Sequence, residues 1–182
     1  VKHLLESLRN DPDLERAVLL AAFGPLRRGE ICALTDADIS GNVISVTKSY
    51  VRGKDNIWHL KAPKTYASYS TIPFHEAVIA CFDGIKGPLV SLTPDAITHR
   101  FKRALENAGL PNFRFHDLRH YSASIMHAIG VPDQYILQRG GWASDGVMKT
   151  VYRNAISDES VKQNTIINQH FELISHDISH EA

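Results

Sequence analysis

The stretch FHDLRHYSAS, residues 115–124, places His116, Arg119 and His120 within five residues. Tyr121, Ala123, Ile125 and Met126 follow. The pattern predicts a helix that starts near Asp117, with one face in the core and a cationic cluster at its entrance. His116 and Arg119 are three residues apart, so they share one helical turn. At the start of a helix the unpaired N–H groups and the dipole favour an anion, so both side chains can meet one there.

Working outward from that helix, the chain alternates between helical and extended patterns. Residues 12–23, PDLERAVLLAAF, read as a helix with Asp11 as N-cap and Pro12 in its first position. GPLRRGEICAL follows, a Gly-Pro break and a second short helix. VISVTKSYV (43–51), NIWHLK (56–61) and SYSTIP (68–73) read as three strands of a small antiparallel sheet. KTYA forms the turn between the last two. Helices are expected at 74–83, at 94–108 between Thr93 and Gly109, and at 117–129 before Gly130. Further helices are expected at 132–139 before Gly140-Gly141, at 144–153 and at 157–175. The fold class is therefore α+β, mainly helical, with a small three-stranded antiparallel sheet.

Composition narrows the function classes. The chain has 182 residues, of which 43% are hydrophobic, with a mean hydropathy of −0.19. That is enough for one domain with a full core, and it excludes a disordered chain. No apolar run approaches the roughly 18 residues that cross a bilayer, and no signal-peptide pattern opens the chain. Cys32 and Cys81 lie in apolar helical patterns and are expected to be buried thiols of a reducing cytoplasm; a disulfide or metal pair is the alternative. Val1 stands where an initiator Met would, so the chain is expected to be a piece of a longer protein. Net charge is zero but unevenly spread. Lys48, Arg52, Lys54, Lys61 and Lys64 face only Asp55 between residues 48 and 70. Arg100, Lys102, Arg103, Arg114 and Arg119 face Glu106 and Asp117 between residues 97 and 120. After Ala155 the sign reverses. Each basic run reads either as a solvated face or as a local phosphate-binding surface.

Several separated residues could act on one phosphate. Arg27 opens a helix in GPLRRGE, with Glu30 on the same face. Lys64 occupies a turn between strands, Trp142 follows Gly-Gly, and Tyr152 stands beside Arg153. Two guanidinium forks match the non-bridging oxygens of a phosphate. A mobile lysine can protonate a leaving oxygen, and a tyrosine is a nucleophile once activated. Together these groups suit phosphoryl transfer to tyrosine without a metal. Each alone has a plainer reading: a surface arginine, a turn lysine, a core tryptophan, a half-buried tyrosine. His116 and His120 could also bind zinc as an i, i+4 pair, although no third ligand is placed by sequence.

LRRGE, the Lys64 turn, HDLRH, GGW and VYRN occur in the order and rough spacing of the tyrosine recombinases. They most resemble the catalytic domain of bacteriophage integrases, from about residue 12 to Tyr152. The resemblance implies a site-specific DNA recombinase that cleaves and rejoins DNA through a 3′-phosphotyrosine link, with no cofactor, metal or ATP. It makes Arg27, Lys64, His116, Arg119 and Trp142 the groups around the phosphate, Glu30 their support and Tyr152 the nucleophile. Arg28, Lys102, Arg103 and Arg114 become candidates for DNA-backbone contacts. It also implies double-stranded attachment sites as partners, a homotetramer on DNA, an accessory bending or directionality factor and no membrane. A bacterial cytoplasmic location, on the nucleoid when active, goes with it. Residues 1–155 would form the catalytic domain, without the N-terminal DNA-binding domain that such proteins carry. Residues 156–182 would form a C-terminal helix and tail, packed on its own domain or swapped to a neighbouring protomer. The sequence departs from the pattern in three places. Trp142 and Tyr152 are ten apart, one more than is commonest. Pro25 stands where a glycine is common, and Lys61 competes with Lys64. A regulator with a degenerate site and a type IB topoisomerase are the alternatives.

Overall fold

A computed structural model describes residues 1–62 and 69–142. Its centre is helix α2 (Pro12–Phe23), which follows the short α1 (Lys2–Ser7). Asp11 caps α2 as expected, its carboxylate accepting from the Leu14 N–H at 3.3 Å. Leu14, Ala17, Val18, Leu19, Leu20, Ala21 and Ala22 are all buried, so α2 is apolar nearly all round and lies inside the molecule. Helix α3 (Arg28–Ile31) comes next, and its Ile31 enters the same core.

The strands differ from the expected single sheet. β1 (Ile39–Ser40), β2 (Val43–Val46) and β5 (Ser70–Pro73) form a three-stranded antiparallel sheet in the order β1-β2-β5. β3 (Ser49–Arg52) and β4 (Trp58–Lys61) form a separate antiparallel ribbon, pairing Ser49 with Lys61 and Arg52 with Trp58. The pattern read as one strand over 43–51 therefore breaks after Val46. Ile44, Val46 and Ile72 face the core, whereas β3 leaves β5 and lies on α3. Gly29 permits this: a Cβ there would stand 2.2 Å from the Tyr50 carbonyl oxygen. Periodicity along one strand does not encode which partner it takes.

Beyond the sheet, the expected helix over 74–83 is shorter, α4 (Glu76–Ile79) running into a single 3-10 turn at Ala80–Phe82. Cys32 is buried, but Cys81 is exposed on this turn, which corrects the expectation of two buried thiols. Helix α5 (Pro94–Asn107) is capped by Thr93, whose hydroxyl accepts from the Ala96 N–H at 3.2 Å. It buries Ile97, Phe101 and Leu105, one per turn. Phe101 meets Phe113 and Phe115 edge to face, each with ring centroids 5.3 Å apart. That cluster fixes the entry to α6 (Asp117–Ala128), which packs on α2, and α7 (Asp133–Gly140) packs on α6. The helices expected at 144–153 and 157–175, and the turn at 64–67, lie outside the described residues.

Candidate active site

The ends of α2, α6 and α7 converge on the start of α3. There Arg27 is fixed by three bonds. Its backbone N–H donates to Glu30 Oε2 at 2.7 Å, and its Nη1 donates to Glu30 Oε1 at 2.7 Å. Its Nη2 donates to the Gly141 carbonyl at 3.0 Å. Glu30 thus caps its own helix and aims the guanidinium, in charge-assisted bonds stronger than neutral ones. The Arg27 side chain remains about half exposed.

Arg119 is buried, at 2% exposure. It projects from the first turn of α6, and its two Nη atoms donate to the Pro25 and Gly140 carbonyls. Its guanidinium lies over the Trp142 ring, 4.2 Å from the centroid, a cation–π contact in a desolvated place. Burial, then the charge of Arg27, lowers its pKa to about 9, against the opposing pull of Glu30. It stays protonated at neutral pH. Two like charges are thus held in one place by backbone carbonyls and a single carboxylate, which leaves the pair in want of an anion.

The two glycines before Trp142 build this corner. Gly141 ends α7 in the left-handed region, φ 59° and ψ 42°. Its N–H donates to the Gln138 carbonyl at 3.2 Å and the Trp142 N–H to the Leu137 carbonyl at 3.0 Å. That is a Schellman ending, and it turns Trp142 back over the helix. A Cβ on Gly140 would stand 1.8 Å from the Trp142 ring, so only glycine lets the indole settle.

Arg27, Glu30, Arg119 and Trp142, four of the residues read from the sequence, therefore meet directly. They line an open cleft of about 1390 Å³ that also includes Lys61 and Arg139. His116 stands beside them at the head of α6 but does not line the cleft. Its ring meets His120 edge to face, with centroids 5.0 Å apart. Burial first, then the charges of His120 and Arg119, hold its pKa below the ordinary 6.5. His120 packs against the His116 ring, with its buried Nδ1 unpartnered among the described residues. Lys64 and Tyr152 lie outside the described residues.

The candidates for DNA-backbone contacts divide. Arg28 is engaged within the fold: its Nη1 donates to the Thr98 hydroxyl and its guanidinium lies 5.4 Å from the Trp58 ring centroid. Arg114 is held by Asp117, Nη2 to Oδ1 at 2.8 Å, yet its side chain is 79% exposed. Lys102 lies 3.9 Å from Glu106 on the open face of α5, and Arg103 is exposed beside it. Four contributors have no sequence signal at all. The carbonyls of Pro25, Gly140 and Gly141 are backbone groups, and Arg139 lies outside every motif considered.

Comparison with known proteins bears on the family of the chain. The model of the phage integrase family matches residues 1–158. A Mycobacterium tuberculosis protein that carries the name prophage phiRv2 integrase is 29% identical over 157 residues, covering 74% of this chain and 41% of that protein. The integrase of Salmonella phage P22 is 46% identical over 63 residues, 34% of this chain and 16% of that protein. Among solved structures, the Tn1549 transposon integrase in complex with transposon right-end DNA superposes with a TM-score of 0.74 at 20% identity, over 89% of this chain and 62% of that one. The catalytic domain of bacteriophage HP1 integrase gives 0.60 at 20% identity over 89% of both chains. The chain spans about two fifths of the length of the M. tuberculosis relative. By its motifs, its fold and this match, the chain belongs to the phage integrase family.

Proposed function

We propose that the chain carries out site-specific DNA recombination through a tyrosine–DNA intermediate. The observation that carries this reading is the pair of guanidiniums, Arg27 and Arg119, fixed side by side at one end of a cleft without a neutralising carboxylate for each. A phosphodiester supplies the missing charge. Its non-bridging oxygens suit the half-exposed fork of Arg27, with the buried charge of Arg119 behind it. Trp142 Nε1–H and His116 are further donors at its edge. In this reading the Tyr152 hydroxyl passes its proton to a base, for which the neutral His116 imidazole is the candidate, and attacks phosphorus. A 3′-phosphotyrosine bond forms, the P–O5′ bond breaks, and a lysine returns a proton to the 5′-oxygen. Lys64 is that lysine in the family pattern, and Lys61, in the cleft, is the alternative. Because the link keeps the bond energy, a 5′-hydroxyl of a partner duplex can reverse the attack and rejoin strands without ATP. Fixed donors aimed at the developing charge supply most of the acceleration.

The relatives named as integrases and the DNA complex of the Tn1549 protein support attachment-site DNA as the partner. The fuller reading is integration and excision of a prophage or similar element by four protomers with an accessory bending or directionality factor, in the bacterial cytoplasm. Among the described residues no helix is long and apolar enough to cross a membrane. Residues 156–182, with Ile156, Val161, Ile166, Ile167, Phe171 and Ile174 near helical spacing, would dock on a neighbouring protomer. Truncation before Ser157 should then abolish assembly on DNA while leaving a folded monomer. Unaltered assembly, measured by sizing the protein–DNA complex, would remove the swap.

The test of the reaction is a covalent-adduct assay. The full-length protein is incubated with nicked suicide duplexes made from the ends of its own element, then denatured. A DNA-linked protein band should form with wild type and vanish with Tyr152→Phe. No band from the full-length protein would leave a DNA-binding regulator. Relaxation of supercoiled DNA without strand exchange would favour a type IB topoisomerase.

A further inference from the structure

We infer that Arg139 is a positioning residue that sets the two phosphate-binding arginines through the Gly140-Gly141 backbone; the inference rests on the proposed reaction. Arg139 is the last side chain of α7 before the glycines. Its Nη2 carries two hydrogens and donates both, to the Phe23 carbonyl at 3.1 Å and to the Pro73 carbonyl at 2.8 Å. Phe23 closes α2, where carbonyls lack helical partners, and Pro73 closes β5. One nitrogen thus fastens the end of α7 to the central helix and to the sheet.

What hangs from that point is the anion site. The next carbonyl, Gly140, accepts from Arg119, and the one after it, Gly141, accepts from Arg27. Displacing α7 would move both acceptors together and carry Trp142 off the Arg119 guanidinium. Arg139 is half-buried and makes no ion pair among the described residues, and that burial lowers its pKa. A buried cation without a carboxylate is a costly way to join two carbonyls if joining were the whole purpose. It fits a place where backbone position must be exact to a fraction of an ångström, since a misplacement of about 1 Å at a reacting centre can cost on the order of 10²-fold in rate. Lysine cannot substitute fully, because its ammonium, though it can donate two bonds, is a more strongly hydrated point charge than a guanidinium and is harder to half-bury.

The test uses the full-length protein with Arg139→Gln and Arg139→Lys, and Arg27→Ala as the control. Adduct formation is timed on two substrates, the ordinary phosphodiester and one in which a methyl replaces a non-bridging oxygen. The methylphosphonate is neutral, so it needs less from the arginines. Arg139→Gln should slow the phosphodiester reaction on the order of 10²-fold, with Arg139→Lys between it and wild type. Both deficits should shrink on the methylphosphonate, as that of Arg27→Ala should. DNA binding and thermal midpoint, measured alongside, should move little for Arg139→Lys. Equal deficits on the two substrates for the Arg139 variants, with the Arg27→Ala deficit shrinking, would mean Arg139 only supports the fold and would overturn the inference. If the Arg27→Ala deficit did not shrink either, the arginines would not be neutralising a phosphate, and the proposed reaction itself would fall.

Discussion

Gly140 and Gly141 meet different needs, and the difference is testable. Gly141 needs its left-handed backbone, which would cost a residue with a side chain roughly 1–2 kcal/mol. Gly140 has an ordinary helical backbone and needs space, because a Cβ would overlap the Trp142 ring. Gly140→Ala should therefore expel the indole while keeping α7. In a Trp58→Phe background, which leaves Trp142 as the sole tryptophan, its emission should move to longer wavelength. Overpacking should lower stability by about 1–3 kcal/mol in chemical denaturation. An unchanged spectrum would mean that Trp142 does not rest on Arg119. At this scale the sequence displayed side chains and hid their partners. Arg27, Glu30, Arg119 and Trp142 were legible because they sit in short motifs of fixed spacing. The carbonyls that hold the arginines were not, since every residue has one. Arg27 finds its carbonyl 114 residues away in the chain and Arg119 finds one 94 away. Arg139 is illegible in the sequence for the same reason: its partners are two distant backbone oxygens.

Elements were read well where local rules govern them. α2 and α5 appear almost residue for residue because Asp11-Pro12 and Thr93-Pro94 are strong starts, and Gly109 is a clear stop at φ 62°. The sheet was read less well, because pairing is decided by packing. The β3–β4 ribbon shows what such packing consists of. An isolated two-stranded ribbon is marginal in water, and this one leaves Val51, Ile57 and Leu60 exposed. Trp58 fastens it. The indole Nε1 donates to Asp95 Oδ2 at 2.8 Å, and the guanidinium carbons of Arg28 and Arg52 both lie over the ring, 5.4 and 5.6 Å from its centroid. Arg52 also lies 3.7 Å from Asp95. One side chain thus ties β4 to β3, α3 and α5. Trp58→Ala should cost about 1–2 kcal/mol, the order of two cation–π contacts and a hydrogen bond at a half-exposed place. The loss should be local. Amide exchange should accelerate through residues 49–61 while α2 keeps its protection. Exchange that accelerated equally in α2 would show that the ribbon is part of the core, not a docked element. Because the ribbon leads directly to Lys61 and Lys64, its docking also bears on the lysine step of the proposed reaction.

The charge balance of the whole molecule explains how a neutral chain can present a cationic site. Much of its basic surface is already paired: Lys48 with Asp38 at 3.0 Å, Arg100 with Asp11 at 3.2 Å, Arg114 with Asp117 at 2.8 Å. Among the described residues, Arg27 and the buried Arg119 share the single carboxylate of Glu30, a local excess of positive charge that net charge could not reveal. The same distribution fixes how stability responds to acid, in two stages. His116 and His120 both have pKa values below the ordinary 6.5, chiefly through burial. As pH falls below about 6.5, the unfolded chain takes up protons that the folded chain refuses, so stability declines until the lowered folded values are reached. Asp38 and Asp117 have pKa values below 3.8, Asp38 through its bonds from Thr35 and Lys48, which outweigh burial, and Asp117 first through the Arg114 side chain. Their stabilisation is present above 3.8 and is lost as pH falls through their folded values. The denaturant midpoint should thus fall modestly as pH drops below about 6.5, level off once the lowered histidine values are passed, and fall again below about pH 4. His120→Phe keeps an aromatic edge against His116 but removes one titrating group and its charge, so it should flatten the first decline and leave the second. A wild-type midpoint that rose between pH 7 and pH 5 would mean that the two rings fold as cations, and that the head of α6 already holds a negative partner before any phosphate arrives.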